Sequence, residues 1–89
     1  SAIYDGLPQF EIVKDRIELA GIDIDSILKK AKTTFSDAAV NEIDGIKFSW
    51  HDRWIHLRSS NTEPIMRIYA EGPTKAEAQR LIDQIRSKL

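Results

Sequence analysis

The stretch Trp54-Ile55-His56-Leu57-Arg58-Ser59-Ser60-Asn61-Thr62-Glu63-Pro64-Ile65-Met66-Arg67-Ile68-Tyr69-Ala70-Glu71 decides how this chain folds. Both of its ends alternate with the period of an extended strand. Ile55 and Leu57 point one way, Trp54, His56 and Arg58 the other. Met66, Ile68 and Ala70 share an inward face, and Ile65, Arg67, Tyr69 and Glu71 share the opposite one. Between the two strands, Arg58 and Arg67 supply planar, permanently charged donors that match phosphate or carboxylate oxygens. Ser60, Asn61, Thr62 and the backbone N–H groups add neutral donors. Pro64 sets the chain's exit and removes one competing N–H. The physical reading is an anion-binding turn between two strands. A solvated polar turn with ordinary strand arginines fits the same residue types, because no Gly-rich loop or helix start narrows the choice. The two arginines converge only if their strands are neighbours, which the short loop favours.

Upstream, Ile46, Phe48 and Trp50 alternate with Lys47 and Ser49, and His51-Asp52 joins this run to the next as a hairpin. Asp44-Gly45 reads as a bend and Ser36 to Asn41 as a connector. Before it, Ile24, Ile27, Leu28, Ala31 and Phe35 form the stripe of an amphipathic helix, with Lys29, Lys30 and Lys32 off it. Asp25 or Ser26 is expected to cap that helix. The pair Asp23-x-Asp25 suits a helix start better than a divalent-cation site, since no third ligand is near. Leu7-Pro8 opens the ordered part. Phe10, Ile12, Val13, Ile17 and Leu19 do not keep one period of two, so a strand with an irregularity is expected there. Gly21 interrupts it.

Downstream, Gly72-Pro73 ends the last strand, and Thr74-x-x-Glu77 is a capping box for a final helix. Ala78, Leu81, Ile82, Ile85 and Leu89 repeat the stripe of the first helix. The elements predict an α+β fold, β-α-β-β-β-α. In it a four-stranded, mainly antiparallel sheet carries both helices on one face as a two-layer sandwich.

Eighty-nine residues make one small domain, 1–89. With 42% hydrophobic and 30% charged residues and a mean hydropathy of −0.36, the composition is that of a globular protein. Thirteen basic and fourteen acidic side chains leave a formal charge of −1, which suggests neither nucleic acid nor an anionic membrane as partner. The chain has no cysteine, so no disulfide or thiolate metal site is possible, and a cytoplasmic location is expected. No apolar run approaches a membrane span. The start at Ser1-Ala2 suggests a domain cut from a longer chain.

Other chemistry-bearing residues read as structural. His51 and His56 lack an acidic or cysteine partner for metal or proton work. Trp50 and Trp54 suit hairpin packing better than a stacking platform. Glu63 reads as an ion-pair partner of the arginines rather than a general base. No catalytic residue and no metal ligand is expected in the chain. It carries binding groups without a reactive one.

The run Arg58-Ser59-Ser60-Asn61-Thr62-Glu63-Pro64, with Arg67, Tyr69 and Glu71 following, resembles the phosphate-binding loop of the α-D-phosphohexomutases, the phosphoglucomutase/phosphomannomutase family. That loop belongs to the family's C-terminal, fourth domain, and the similarity extends over essentially the whole chain. The resemblance implies that Arg58, Ser60, Asn61, Thr62 and, with a more variable role, Arg67 grip the substrate phosphate. It further implies a four-domain enzyme that interconverts hexose 1-phosphate and hexose 6-phosphate through a bisphosphorylated intermediate. The partners would then be a hexose phosphate and the other three domains. The active phosphoserine and Mg²⁺ would be supplied by other domains, with no cofactor in this one. Rotation of the fourth domain would close the cleft, and the isolated domain would fold but be inert. Phosphoglucosamine mutases often carry Gly where Asn61 stands, which tilts the resemblance towards a phosphoglucomutase/phosphomannomutase.

Two other classes remain in view. Sheet aromatics backed by helices could stack bases, against which stands the charge of −1. A protein-interaction domain would make Arg58 and Arg67 mere surface ions.

Overall fold

The computed structural model describes residues 10–60 and 62–89, so Leu7-Pro8 and Asn61 lie outside the described residues. The elements are β1 (Glu11–Glu18), α1 (Ile24–Thr34), β2 (Ala39–Asn41), β3 (Ile46–Ser49), β4 (Trp54–Ser59), β5 (Ile65–Gly72) and α2 (Lys75–Arg86). The five strands form one antiparallel sheet in the order β1-β5-β4-β3-β2. The α+β sandwich stands, with one strand more than the sequence suggests.

That strand, β2, falls inside the stretch read as a connector. Its three residues are all exposed. It exists because Ala39, Val40 and Asn41 pair with Ser49, Phe48 and Lys47 of β3, and such backbone pairing leaves no apolar period to read. The expected irregularity in β1 is absent. Glu11 to Glu18 pair without a break against Gly72 to Ile65. Val13 and Ile17 do alternate inward, and the inward position between them is Asp15, whose carboxylate meets Arg86 of α2 at 3.1 Å. A polar residue at an inward site breaks the apolar pattern without breaking the strand.

The core forms between the sheet's inner face and the two helices. Ile46, Phe48, Ile55, Leu57, Ile68 and Ala70 are fully buried there. Register aligns them: Phe48 faces Ile55, Ile46 faces Leu57, and Leu57 faces Ile68. Helix α2 presents Ala78, Leu81, Ile82 and Ile85 to this face, and α1 presents Ile27 and Ala31. Phe35, just past α1, stacks tilted on Phe48 at 5.2 Å and edge-on against Trp50 at 5.5 Å. Trp50 is thus an anchor between layers.

The two helix starts differ. The Thr74 hydroxyl accepts from the Glu77 N–H at 3.1 Å, a cap worth about 1 kcal/mol. At α1 the cap position is Asp23, and its side chain makes no capping hydrogen bond. Neither Asp25 nor Ser26 caps; Asp25 lies in the first turn, where its charge favours the helix dipole.

Candidate anion-binding site

Each side chain of the quoted turn is placed by strand parity. Inward residues of β4 and β5 are sealed in the core, so their neighbours Arg58 and Arg67 stand on the outer, solvent face. Arg58 and Arg67 are direct cross-strand partners. The condition for their convergence is met by register.

The turn is stitched closed by its own polar groups. The Ser60 N–H donates to the Ile65 carbonyl at 3.0 Å and the Ile65 N–H to the Glu63 carbonyl at 2.8 Å. The Ser60 Oγ accepts from the Thr62 and Glu63 N–H groups, both at 3.3 Å, and lies 3.4 Å from the Thr62 Oγ1. With its oxygen engaged as acceptor, the Ser60 hydroxyl still has a proton to donate. The Leu19 N–H donates to the Pro64 carbonyl at 2.8 Å, tying the end of β1 to the loop. Among the predicted site residues, Arg58, Ser60, Thr62 and Arg67 come together; Asn61 lies outside the described residues.

Both arginines are held by carboxylates from the protein. Arg67 Nη2 lies 3.4 Å from Glu63 Oε1, as expected for that glutamate, and Arg58 Nε lies 3.5 Å from Asp44 Oδ1. All four side chains are roughly half exposed. Such pairs are worth at most about 1 kcal/mol in water, so an incoming anion with better geometry can replace either carboxylate.

Asp44 and Gly45 form the expected bend, and the bend reaches the site. Gly45 adopts φ +71, the left-handed region. A Cβ there would fall on the Leu57 carbonyl oxygen and 3.2 Å from the Arg58 Cα. Only glycine lets the β2–β3 loop settle against β4, which brings Asp44 to Arg58 and its carbonyl to His56 Nε2. Nothing local signals this, because the contact spans the hairpin.

The same face continues away from the turn as an ordered polar and aromatic strip. His56 and Tyr69 are cross-strand partners with rings 6.4 Å apart. Trp54 Nε1 donates to Glu71 Oε1 at 2.7 Å, and Lys47 Nζ sits 4.6 Å over the Trp54 ring. Asn41, Ile43, Asp44, Lys47, Trp54 and His56 line a shallow hollow of about 270 Å³. His51 is exposed in the β3–β4 turn, away from His56. Among the described residues no group of three or more His, Cys, Asp or Glu is placed to hold a metal ion, and no helix is long and apolar enough to cross a membrane.

A family model described as phosphoglucomutase/phosphomannomutase, C-terminal domain, matches residues 13–88. The phosphoglucosamine/phosphogalactosamine mutase of Sulfurisphaera tokodaii is 34% identical over 87 residues, 94% of this chain and 19% of that protein. The phosphomannomutase of Methanocaldococcus jannaschii is 33% identical over 61 residues, 68% of this chain and 14% of that protein. Among solved structures, a phosphoglucomutase/phosphomannomutase family protein from Burkholderia thailandensis superposes with a TM-score of 0.63 at 28% identity, covering 98% of this chain and 19% of that one. The chain therefore spans about a fifth of the length of such relatives.

Proposed function

This chain belongs to the phosphoglucomutase/phosphomannomutase family, as a C-terminal domain of it, and from that membership we propose that its turn binds the phosphate of a hexose phosphate for a longer mutase. The observation that carries this reading is the direct cross-strand pairing of Arg58 with Arg67 beside a turn stitched by Ser60. Arg58 and Arg67 offer charged forks, and Ser60, Thr62 and Asn61 offer neutral donors; Asn61 enters on the family motif alone. Donors held on a sheet and a closed turn need little reorganisation to meet a phosphate dianion.

Such a site reads phosphate, not sugar. Names of relatives point to amino sugars in one case and mannose in another, and a grip on the shared phosphate is what substrates of both kinds require. In the parent enzyme, the phosphate not being transferred would rest here, and after the bisphosphorylated intermediate turns over the other phosphate would take its place. Closure of this domain over the cleft would exclude water while the phosphoryl group moves. Phosphoserine and Mg²⁺ would be supplied by other domains in this reading. The 89 residues alone are expected to be inert and to bind weakly, with Kd on the order of millimolar, because most contacts to the sugar lie elsewhere. A cytoplasmic setting belongs to the same reading and rests on the cysteine-free composition.

An amide NMR titration of the chain with glucose 1-phosphate, with glucose as control, tests the proposal. Shifts should concentrate at residues 58–67 and follow the phosphate. Arg58→Ala should weaken binding about tenfold or more, the scale of a lost charge-assisted bond, with an unchanged melting temperature. Glucose acting as well as glucose 1-phosphate would refute it.

A further inference from the structure

Arg58 and Arg67 are not alone on their level of the sheet. Arg16 of β1 is the cross-strand partner of Arg67, so Arg16, Arg67 and Arg58 form one row across three adjacent strands. All three project from the outer face. The Arg16 backbone is fixed from the side away from β5: its N–H donates to Asp15 Oδ1 at 2.7 Å and its carbonyl accepts from Arg86 Nη1 at 2.9 Å. With both backbone groups turned from β5, Arg16 and Arg67 form a non-hydrogen-bonded pair, the closer kind, with Cα atoms about 4.5 Å apart. The ladder bond from Leu19 to Pro64 at 2.8 Å continues this register into the turn. The end of β1 is thus a side wall of the site.

Like charges directly opposite one another on a sheet are unfavourable, and this row sets three side by side. Protein carboxylates relieve Arg58 and Arg67 at 3.5 and 3.4 Å, whereas among the described residues the carboxylate paired with Arg16 Nε is Glu18 Oε2 at 4.0 Å, with the Arg16 side chain 63% exposed. Among the described residues its ion pair is the longest of the three in the row, and its backbone is held in β1 beside the turn.

We propose that Arg16 is a third phosphate-contacting residue, closing the β1 side of the site formed by Arg58 and Arg67. The inference rests on the phosphate-binding reading above and extends it to a strand outside the turn. A phosphate dianion seated over Arg67 has a guanidinium on each flank, and its negative charge removes the repulsion that the empty row carries. Phosphate binding then gains both a donor and relief of the like-charge row.

The test is titration of the 89-residue chain with inorganic phosphate and with glucose 1-phosphate at low salt, following amide and arginine Nε–Hε resonances. Arg16→Ala should weaken both ligands about three- to fivefold, the scale of a partly exposed ion pair. Arg16→Lys should recover part of the loss, and the Arg16 Nε–Hε signal should move with phosphate. Lys14→Ala, on the same face of the same strand one level along, should change affinity by less than about twofold. Arg16→Ala binding like the parent chain while Arg58→Ala fails would overturn the role of Arg16 and leave the turn's role intact. Equal losses in Arg16→Ala and Lys14→Ala would overturn it in favour of diffuse charge. No phosphate-dependent shift in the parent chain would overturn both readings.

Discussion

The two faces of the sheet are built from the same strands and share almost nothing else. On the inner face, Ile55, Leu57, Ile68 and Ala70 are wholly buried; one residue along, His56, Arg58, Arg67 and Tyr69 stand in or near solvent. The inner face contributes stability through apolar burial and close packing. The outer face contributes rows of donors at cross-strand spacing, with exposed carboxylates as loosely held counterions. Parity therefore separates the residues that make the core from those of the proposed phosphate site at single-residue resolution. Residues outside the core can be exchanged at little expected cost to the fold.

The largest expected effect tries to break this separation from the inside. Phe48→Ala removes a fully buried ring that contacts Phe35 and should cost about 3–5 kcal/mol in urea denaturation. Phosphate affinity of the fraction still folded should be unchanged; a selective loss of affinity would show that the faces are coupled. Gly45→Ala addresses the one place where they are expected to couple. Left-handed backbone and contact with the Leu57 carbonyl should cost about 2 kcal/mol, together with resonance changes at Arg58 and His56, since Asp44 reaches both. An unchanged melting temperature would contradict that account. The smallest effect sharpens the outer face. Glu63→Gln removes the carboxylate that holds Arg67 at 3.4 Å, and should tighten phosphate about two- to threefold with stability unaltered. Weaker binding would instead mean that Glu63 positions Arg67.

Legibility in the sequence followed the range of the forces involved. The stripes of α1 and α2 are local patterns, as is the Thr74 cap; the middle of each stripe is buried as expected, while Ile24 and Leu89 at their ends stay exposed. Asp23 and Asp25 do lie at a helix start, as their charges suggest, but the cap expected of Asp25 or Ser26 is missing because the acids act there by charge and not by a capping hydrogen bond. In β1, Asp15 occupies an inward position that masks a regular strand; partial exposure, Arg86 reaching from α2 and the Arg16 N–H make an acid tolerable there. The outward direction of Arg16 follows from the unbroken alternation of β1.

By itself the sequence determined which residues share a face, where each helix lies and which chemical groups the turn can offer. Those follow from periods of 2 and 3.6 and from side-chain chemistry. What only the tertiary structure decided is who stands beside whom: β2 against β3, Asp44 against Arg58, and Arg16 opposite Arg67. Strand partners and register are chosen by burying the whole inner face against two helices, a condition no local window contains. The outer row of arginines is a consequence of that choice, made by residues that never touch it.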